Sequence, residues 1–522
     1  MRRDLIRLSS EPHDVLVVGG GIHGACAAWE AARRGLQVAL IEAGDFNQST
    51  SSNSLRTLHG GLRHLQWLDW LHMRESVRER REWLRLAPEL TQPMRFVLPT
   101  SSRGLRRPQV LRAALWANDL LSADRNEGLP SGQQIPAGAI LPAIEVRRLF
   151  PGIPGANYNG AAAWYDGVCL NTERLQLAVL AEAVACGARV ANYVRAVRPE
   201  IQGRKVRGAR VCDELTGNEL DLRASVVINA AGPWVEQWLG SKDSQLFRAS
   251  KAFNLLVRQL PFSAALGLSA TNGTYFLIPW NGYTLVGTRH LRCDQRTRSA
   301  EITGDEISDF LAELNPLLGD HRLHAKDVHG VFGGLLPQSA RGHGPEVALE
   351  RAARIVDHTA GGLQGLFSVV GVKWTTARAV GERAAQLACR SLGRVETPQR
   401  PRALDTADLK LPPDGDPTRI VPDQPALFAH VTHAVRHEMA MRLSDVIRRR
   451  TSLYLSMALD HSVLASCAAV MARELRWSRR QISAEIAAAE TDQGIFKGQV
   501  RTSPNFPASR GDSLHTAALR AE

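Results

Sequence analysis

The 522-residue sequence has few cysteines, and the seven present, Cys26, Cys169, Cys186, Cys212, Cys293, Cys389 and Cys467, stand far apart. No CxxC pair and no Cys/His ligand spacing occurs. That pattern argues against a disulfide framework, a structural zinc or an iron–sulfur cluster, and a reducing cytosol is the expected compartment. No apolar run reaches the roughly 18–20 residues that cross a bilayer. Arg2-Arg3 is followed by the polar run Ser9-Ser10-Glu11-Pro12-His13, so the chain is read as opening with a short lead-in rather than an export signal. Internal repeats are also lacking.

What is present is ordinary globular material, 44% hydrophobic and 22% charged. At about 150 residues per domain, the length predicts two to four folded units. Lys+Arg 64 against Asp+Glu 52 leaves a net charge of +12. Such an excess suits a phosphorylated metabolite, an acidic membrane surface or nucleic acid. The sequence carries no helix-turn-helix, zinc or aromatic RNA-binding motif, so no nucleic-acid partner is expected.

Up to about residue 400, strand-like and helix-like segments alternate, as in an α/β protein. Val15–Val18, Val38–Ile41 and Val226–Asn229 are short valine-rich runs suited to a buried parallel sheet. Tyr275–Pro279 and Tyr283–Gly287 flank Trp280-Asn281-Gly282 and predict an antiparallel hairpin turning at Asn-Gly. The second region, 401–492, opens with a turn-rich linker from Lys410 to Pro417. Apolar spacings of three and four then predict helices over Leu427–Met441, Leu443–Leu459, Ser462–Arg476 and Ser478–Thr491. Residues 493–522 read as a loose tail.

The strongest local signal is Asp14-Val-Leu-Val-Val-Gly-Gly-Gly-Ile-His-Gly24. Gly19, Gly21 and Gly24 fill G-x-G-x-x-G directly after a strand; a helical stretch Ile22–Arg34 and a second strand ending in Glu42 follow. Gly19 permits a tight turn, Gly21 lets backbone approach a pyrophosphate, and Gly24 lets helix pack on sheet. The helix N-terminus offers N–H groups to phosphates. Glu42 is placed to accept hydrogen bonds from a ribose diol, which disfavours NADP and leaves FAD or NAD. Only one such unit exists. Two remote segments, Val226–Trp234 and Leu366–Thr376, supply small-residue turns of the kind an extended FAD needs. In the second, Gly371 is placed to open a helix.

At this point the sequence resembles the FAD-dependent, quinone-linked glycerol-3-phosphate dehydrogenases. The run Thr50–Gln66 (TSSNSLRTLHGGLRHLQ) is similar to their flavin-contacting segment. Ala87-Pro88, Pro93–Phe96, Asn229–Trp234, Ile278–Trp280 and Gly371–Thr376 (GVKWTT) match in the same order. His437–Met439, Asp445–Thr451 (DVIRRRT) and Glu474–Trp477 resemble the family's C-terminal helical domain. The resemblance covers about residues 12–492.

It implies an α/β fold: a discontinuous, Rossmann-like FAD-binding domain with an inserted mixed or antiparallel-sheet substrate domain, and a C-terminal α-helical domain. FAD-binding pieces are expected at about 12–100, 160–240 and 350–400, and substrate-domain pieces at about 100–160 and 240–350. The implied cofactor contacts are Gly19, Gly21, Ile22, Gly24 and Glu42 at the nucleotide end. Thr50, Ser51, His59, Gly60 and Gly61 follow, and Ala196, Gly232, Gly371, Lys373 and Thr375 complete the set.

The implied reaction oxidises sn-glycerol 3-phosphate at C2 to dihydroxyacetone phosphate, with hydride passing to flavin N5 and electrons on to a quinone or another acceptor. Lys373, His59 and Arg63 are the implied catalytic residues, and Arg63, His64, Arg289 and Arg351 the implied substrate contacts. Fixed guanidiniums suit a phosphate dianion. The hydroxyl proton needs a base, and His59, His64 and a water all remain open. No metal is expected. Peripheral contact with the inner face of the cell membrane and a homodimer are further expectations. By default Arg448-Arg449-Arg450 reads as a solvated basic face, with contact to anionic lipid as the alternative.

Four departures bear on the substrate. Gly333-Gly-Leu-Leu-Pro337 lacks the arginine of the family's Gly-Val-Arg-Pro run. Gly287-Thr-Arg-His290 replaces an acid, Val372 a glycine and Ala377 an aromatic residue. One lost charge-assisted contact costs about 1.5–3 kcal/mol. Arg289 or Arg341 would have to replace it, and the alternative reading is a different hydroxylated or amino substrate.

Overall fold

The computed structural model describes residues 1–101, 104–154, 158–239, 246–293, 300–339, 347, 349–395, 401–405 and 416–498. Arg341, most of the expected linker and the tail from 499 onward lie outside the described residues.

The valine-rich runs form the centre of the first sheet. His13–Val18 pairs in parallel with Val38–Ile41 on one side and with the end of Glu219–Asn229 on the other. Arg189–Ala191 and Leu366–Val370 extend it in parallel, and Arg354–Asp357 closes the edge antiparallel. The central residues Val15, Leu16 and Val17 are wholly buried, as a sheet covered on both faces requires. The helix Ile22–Ala32 packs on one face beside Ala377–Ser391. Its small residues Ala25, Ala27, Ala28 and Ala31 let it lie close to its neighbours. The lead-in is docked: Leu5–Ser10 is helical, and Arg3 pairs with Asp213.

Among the described residues the second sheet is nine-stranded and mostly antiparallel, with one parallel pair between Ala265–Ala270 and Thr91–Pro99. The expected hairpin is there, Gly273–Trp280 against Tyr283–Arg292, with Asn281 and Gly282 both at positive φ. The helix Gly304–Leu318 covers one face through Phe310, Leu311 and Leu314. The C-terminal helices cover the other, where Leu256, Trp280 and Phe332 meet Tyr454 and Phe496.

The expected segment boundaries need correcting. Thr57–Leu58, Thr91–Pro99 and Gly160–Cys169 belong to the second sheet, not to the cofactor-binding one. Which sheet a strand joins is decided by its distant partner, and its own side-chain pattern does not record that. The helix expected over Leu443–Leu459 is also broken. It becomes a helical turn at Leu443–Asp445, a π-helical turn at Val446–Arg450 and a 3-10 turn at Leu453–Leu455. The break is where Arg449 and Arg450 turn inward to buried Asp45, so Arg449 and Arg450 are not a solvated face. The last helix runs Arg479–Phe496, past the boundary at 492. Gly371 does not open a helix; the helix after it starts at Ala377.

Candidate active site

A cavity of about 2480 Å³ runs from the glycine motif to the second sheet. At its nucleotide end the chain turns sharply at Gly19, whose φ is +107°. A Cβ on Gly24 would overlap the Gly19 carbonyl, so the helix can cross the strand this closely only with glycine there. The cap residue of Ile22–Ala32 is Gly21, which has no side chain to offer. Ser51 serves instead, its Oγ accepting from Ile22 N at 3.0 Å. Thr50 Oγ1 and the Leu335 backbone exchange hydrogen bonds of 3.2 Å, which joins this loop to the second sheet. Glu42 accepts from Gly20 N at 2.6 Å and from Gly44 N at 2.9 Å. Burial raises its pKa against the pull of those two donors. Each carboxylate oxygen keeps a lone pair for a diol.

Of the expected cofactor contacts, all but Gly24 and Gly60 line this cavity. Gly24 lies in the strand–helix crossing, and Gly60 N donates to Asp166 Oδ1 at 2.6 Å. Gly371 is pressed on the His23 ring, where no larger residue fits.

At the other end, His59 N donates to Thr375 Oγ1 at 2.9 Å, and His59 Nδ1 lies 3.4 Å from Asp166 Oδ2. Asp166 is fixed further by Arg80 at 2.7 Å and Trp164 Nε1 at 3.3 Å. Lys373 Nζ lies 2.6 Å from His64 Nε2. Burial pushes Lys373 down to about 8, Glu75 and Asp69 pull the other way, and Arg63 pushes down with burial. Burial and the Lys373 charge hold His64 at about 4, so it is a neutral imidazole beside the lysine.

Two of the expected substrate arginines converge. Arg63 and Arg351 both lie over the Trp67 ring, 5.5 and 4.3 Å from its centroid. Arg63 also acts electrostatically on Lys373 and on His290. Arg289, also expected as a substrate contact, does not join them at that ring. It touches the cavity wall, but its guanidinium is paired with Glu313 and lies over Phe310, on the face covered by Gly304–Leu318. The next residue, His290, faces the Arg63 side, as strand alternation requires. Burial and Arg63 keep His290 near 4, hence neutral.

Sequence reasoning missed Asp166, Asp69, Trp67 and the neutral His290. Asp166 had only one weak signal, a charged residue inside an otherwise apolar strand. Asp69 had a clearer one, standing as an N-cap residue just before an amphipathic stretch.

Residues 14–387 match the sequence profile of the FAD dependent oxidoreductases. The chain belongs to the FAD dependent oxidoreductase family. Residues 381–482 match the C-terminal domain of alpha-glycerophosphate oxidase. A glycerol-3-phosphate dehydrogenase of Synechocystis sp. is 29% identical, over 93% of this chain and 97% of that protein. One from Mycobacterium leprae is 32% identical, over 73% of this chain and 64% of that protein. The fold is that of the Bacillus halodurans glycerol-3-phosphate dehydrogenase solved with FAD, with a TM-score of 0.71 at 22% identity over 95% and 97% of the two chains. The cavity fits the family's cofactor: a helix N-terminus and Gly21 for a pyrophosphate, Glu42 for a ribose, and Lys373 with Thr375 at the far end.

Proposed function

We propose that this protein oxidises sn-glycerol 3-phosphate, or a close analogue, to dihydroxyacetone phosphate, and passes the electrons to a quinone or another acceptor. The observation that carries this reading is the gathering of Lys373, Arg63 and Arg351 at the end of the FAD cavity remote from Glu42. Two relatives that bear the name glycerol-3-phosphate dehydrogenase support it.

FAD, when bound, supplies the hydride acceptor. Gly19, Gly21, Ile22, Glu42, Thr50, Ser51, His59, Gly61, Ala196, Gly232, Gly371, Lys373 and Thr375, which line the cavity, would hold it. Arg63 and Arg351 attract the substrate phosphate, and Trp67 keeps the two guanidiniums in place. Lys373 carries an amine of reduced basicity and accepts the hydroxyl proton. His59, held by Asp166, fixes the loop against the flavin end.

A second reading, a different hydroxylated or amino substrate, is favoured by one observation. The wall carries Leu335 and Leu336 where the family has its arginine, and Arg289, the expected replacement, is neutralised by Glu313. Anaerobic mixing with sn-glycerol 3-phosphate separates the two. Bleaching of the flavin band within seconds supports the first. A flavin that stays oxidised, yet is reduced by dithionite, supports the second.

Membrane contact belongs to the same proposal. Among the described residues no helix is long and apolar enough to cross a membrane. Leu105, Val110, Trp116 and Leu120 are nevertheless exposed on and beside the helix Pro108–Leu121, next to exposed Arg106, Arg107 and Arg112. Leu105, Val110 and Leu111 also line the cavity, so this basic apolar face adjoins it. Sedimentation with anionic vesicles, lost in a Trp116→Ser/Leu120→Ser variant, is the expected result. Equal sedimentation of both proteins would remove this surface from the proposal.

A further inference from the structure

Lys373 is half-buried and lines the cavity, so once FAD and substrate fill that space a proton it accepts needs another way out. His64, its contact at 2.6 Å, is only 3% exposed. The other ring nitrogen, His64 Nδ1, is fully buried and forms no hydrogen bond of normal length. It lies 3.5 Å from Asp69 Oδ2. Asp69 caps the helix Trp70–Leu86, accepting from His72 N, and its carboxylate contacts His72 Nδ1 at 2.7 and 2.8 Å. The His72 side chain is 41% exposed. The two imidazoles lie nearly parallel, 5.9 Å apart. A line of proton-carrying groups, with one 3.5 Å step between His64 and Asp69, thus leads from a half-buried amine to solvent.

We propose that His64, Asp69 and His72 form the proton exit of Lys373. The role rests on the alcohol oxidation proposed above. When the substrate O–H bond breaks, its proton forms an N–H bond on the neutral Lys373 amine; the C2–H bond breaks as C=O forms, and bound FAD would take up the hydride. The ammonium then gives a proton to His64 Nε2 as the Nδ1 proton leaves towards Asp69 and His72. His72 delivers it to water, which leaves His64 as the Nε2–H tautomer; once product has left the cavity, proton exchange with water (loss from Nε2, gain at Nδ1) returns it to the Nδ1–H form. One proton is released for each hydride transferred.

The charges around the line suit this direction. Lys373 faces His64 and Arg63 from one turn and Asp69 and Glu75 from the helix and its cap. Glu75 is itself paired with Arg383. Burial would raise the Asp69 pKa, but the His72 side chain and N–H outweigh it, so Asp69 stays anionic beside His64. The neutral His64 keeps one acceptor nitrogen towards the lysine and one donor towards the carboxylate.

The test uses the full-length holoenzyme and two independent measurements. In ¹⁵N-histidine NMR without substrate, His64 should appear as the neutral Nδ1–H tautomer from pH 6 to 9. Its exchange with water should slow at least about tenfold in His72→Gln, because the exit, not the ring, has been altered. In anaerobic stopped flow, His64→Phe should slow flavin reduction about a hundredfold or more with an unchanged KM, and added imidazole should restore part of it. His72→Gln should show its defect at low buffer concentration and lose it at high. An Nε2–H tautomer, or equal exchange in His72→Gln, overturns the exit whatever the substrate proves to be. Unaltered reduction in His64→Phe overturns it as well. A wild type that the substrate does not reduce refutes the proposed reaction, while the NMR result still decides the exit.

Discussion

Asp45 and Arg450 stand 405 residues apart in the chain and are joined by two hydrogen bonds of 2.8 Å in the buried core. Arg449 Nε adds a third at 2.6 Å. Asp45 sits three residues beyond Glu42, in the loop that reaches the cofactor cavity. The C-terminal domain therefore clamps the turn that follows Glu42. The run that reads as a basic surface is an internal bolt.

Replacing Asp45 with Asn should destabilise the protein by about 3–5 kcal/mol, because two buried guanidiniums lose their common partner. Denaturant unfolding measures it, and a loss below about 1 kcal/mol would mean that water or Asp445 takes over the contact. The acid dependence has a definite sign. Burial would raise the Asp45 pKa, but Arg450 and Arg449 win and hold it at about 2. Its contribution is thus fully present above about pH 4 and is lost as the pH falls towards 2. Asp45→Asn should flatten that acid limb.

Glu42→Ala should weaken FAD retention about ten- to a hundredfold, the equivalent of 1.5–3 kcal/mol for hydrogen bonds to a charged acceptor. It also removes the acceptor of Gly20 and Gly44 N–H. The flavin-to-protein absorbance ratio after gel filtration reports it directly. Full flavin content would take Glu42 out of the cofactor contacts.

Much of this architecture is legible in the sequence, because its signals are local. Gly19, Gly21, Gly24 and Glu42 define a strand–turn–helix–strand unit within one short stretch, and Asn281-Gly282 specifies its hairpin unaided. Lys373, Arg63 and Arg351 emerge from resemblance, and the cavity gathers all three. What is not legible depends on distant partners. Arg289 and His290 are neighbours on a strand, and one of them must face away. The register of Ala249–Arg258 against Tyr283–Arg292 shifts between Phe253 and Leu255, so the choice of face is not written in the local pattern. Arg449 looks solvated until Asp45 is brought to it. Asp166 is one acid in an apolar strand until Arg80, His59 and Gly60 converge on it.

The rate of flavin reduction should rise with pH and level off above about 8. Lys373 accepts a proton only as the free amine, and burial brings its pKa down to about 8. Below that value the free-amine fraction falls about tenfold per pH unit. Lys373→Ala should lower the rate by roughly 10²–10⁴ and erase the inflection, with FAD still bound. Stopped-flow reduction between pH 6 and 10 decides it. A wild-type profile that is flat through 8 would assign the base elsewhere, with His59 the next residue to test.

The two surviving substrate cations should behave unlike the third. Arg351 lies over Trp67 at 4.3 Å and pairs with no carboxylate among the described residues, and Arg63 shares the same ring. Arg351→Met should raise the KM for a phosphorylated substrate about ten- to a hundredfold, since one charge-assisted contact is removed from a dianion. Its effect on an unphosphorylated polyol should be small, which separates loss of a phosphate contact from general damage. Trp67→Leu should give a milder rise, because both guanidiniums lose a shared platform worth about 0.5–2 kcal/mol. Arg289→Met is the control: its charge is spent on Glu313, so it should lower stability and leave the KM within about twofold of wild type. Equal KM increases in Arg289→Met and Arg351→Met would show that Glu313 releases Arg289 when substrate arrives. The second sheet would then supply the charge that Leu335 and Leu336 lack.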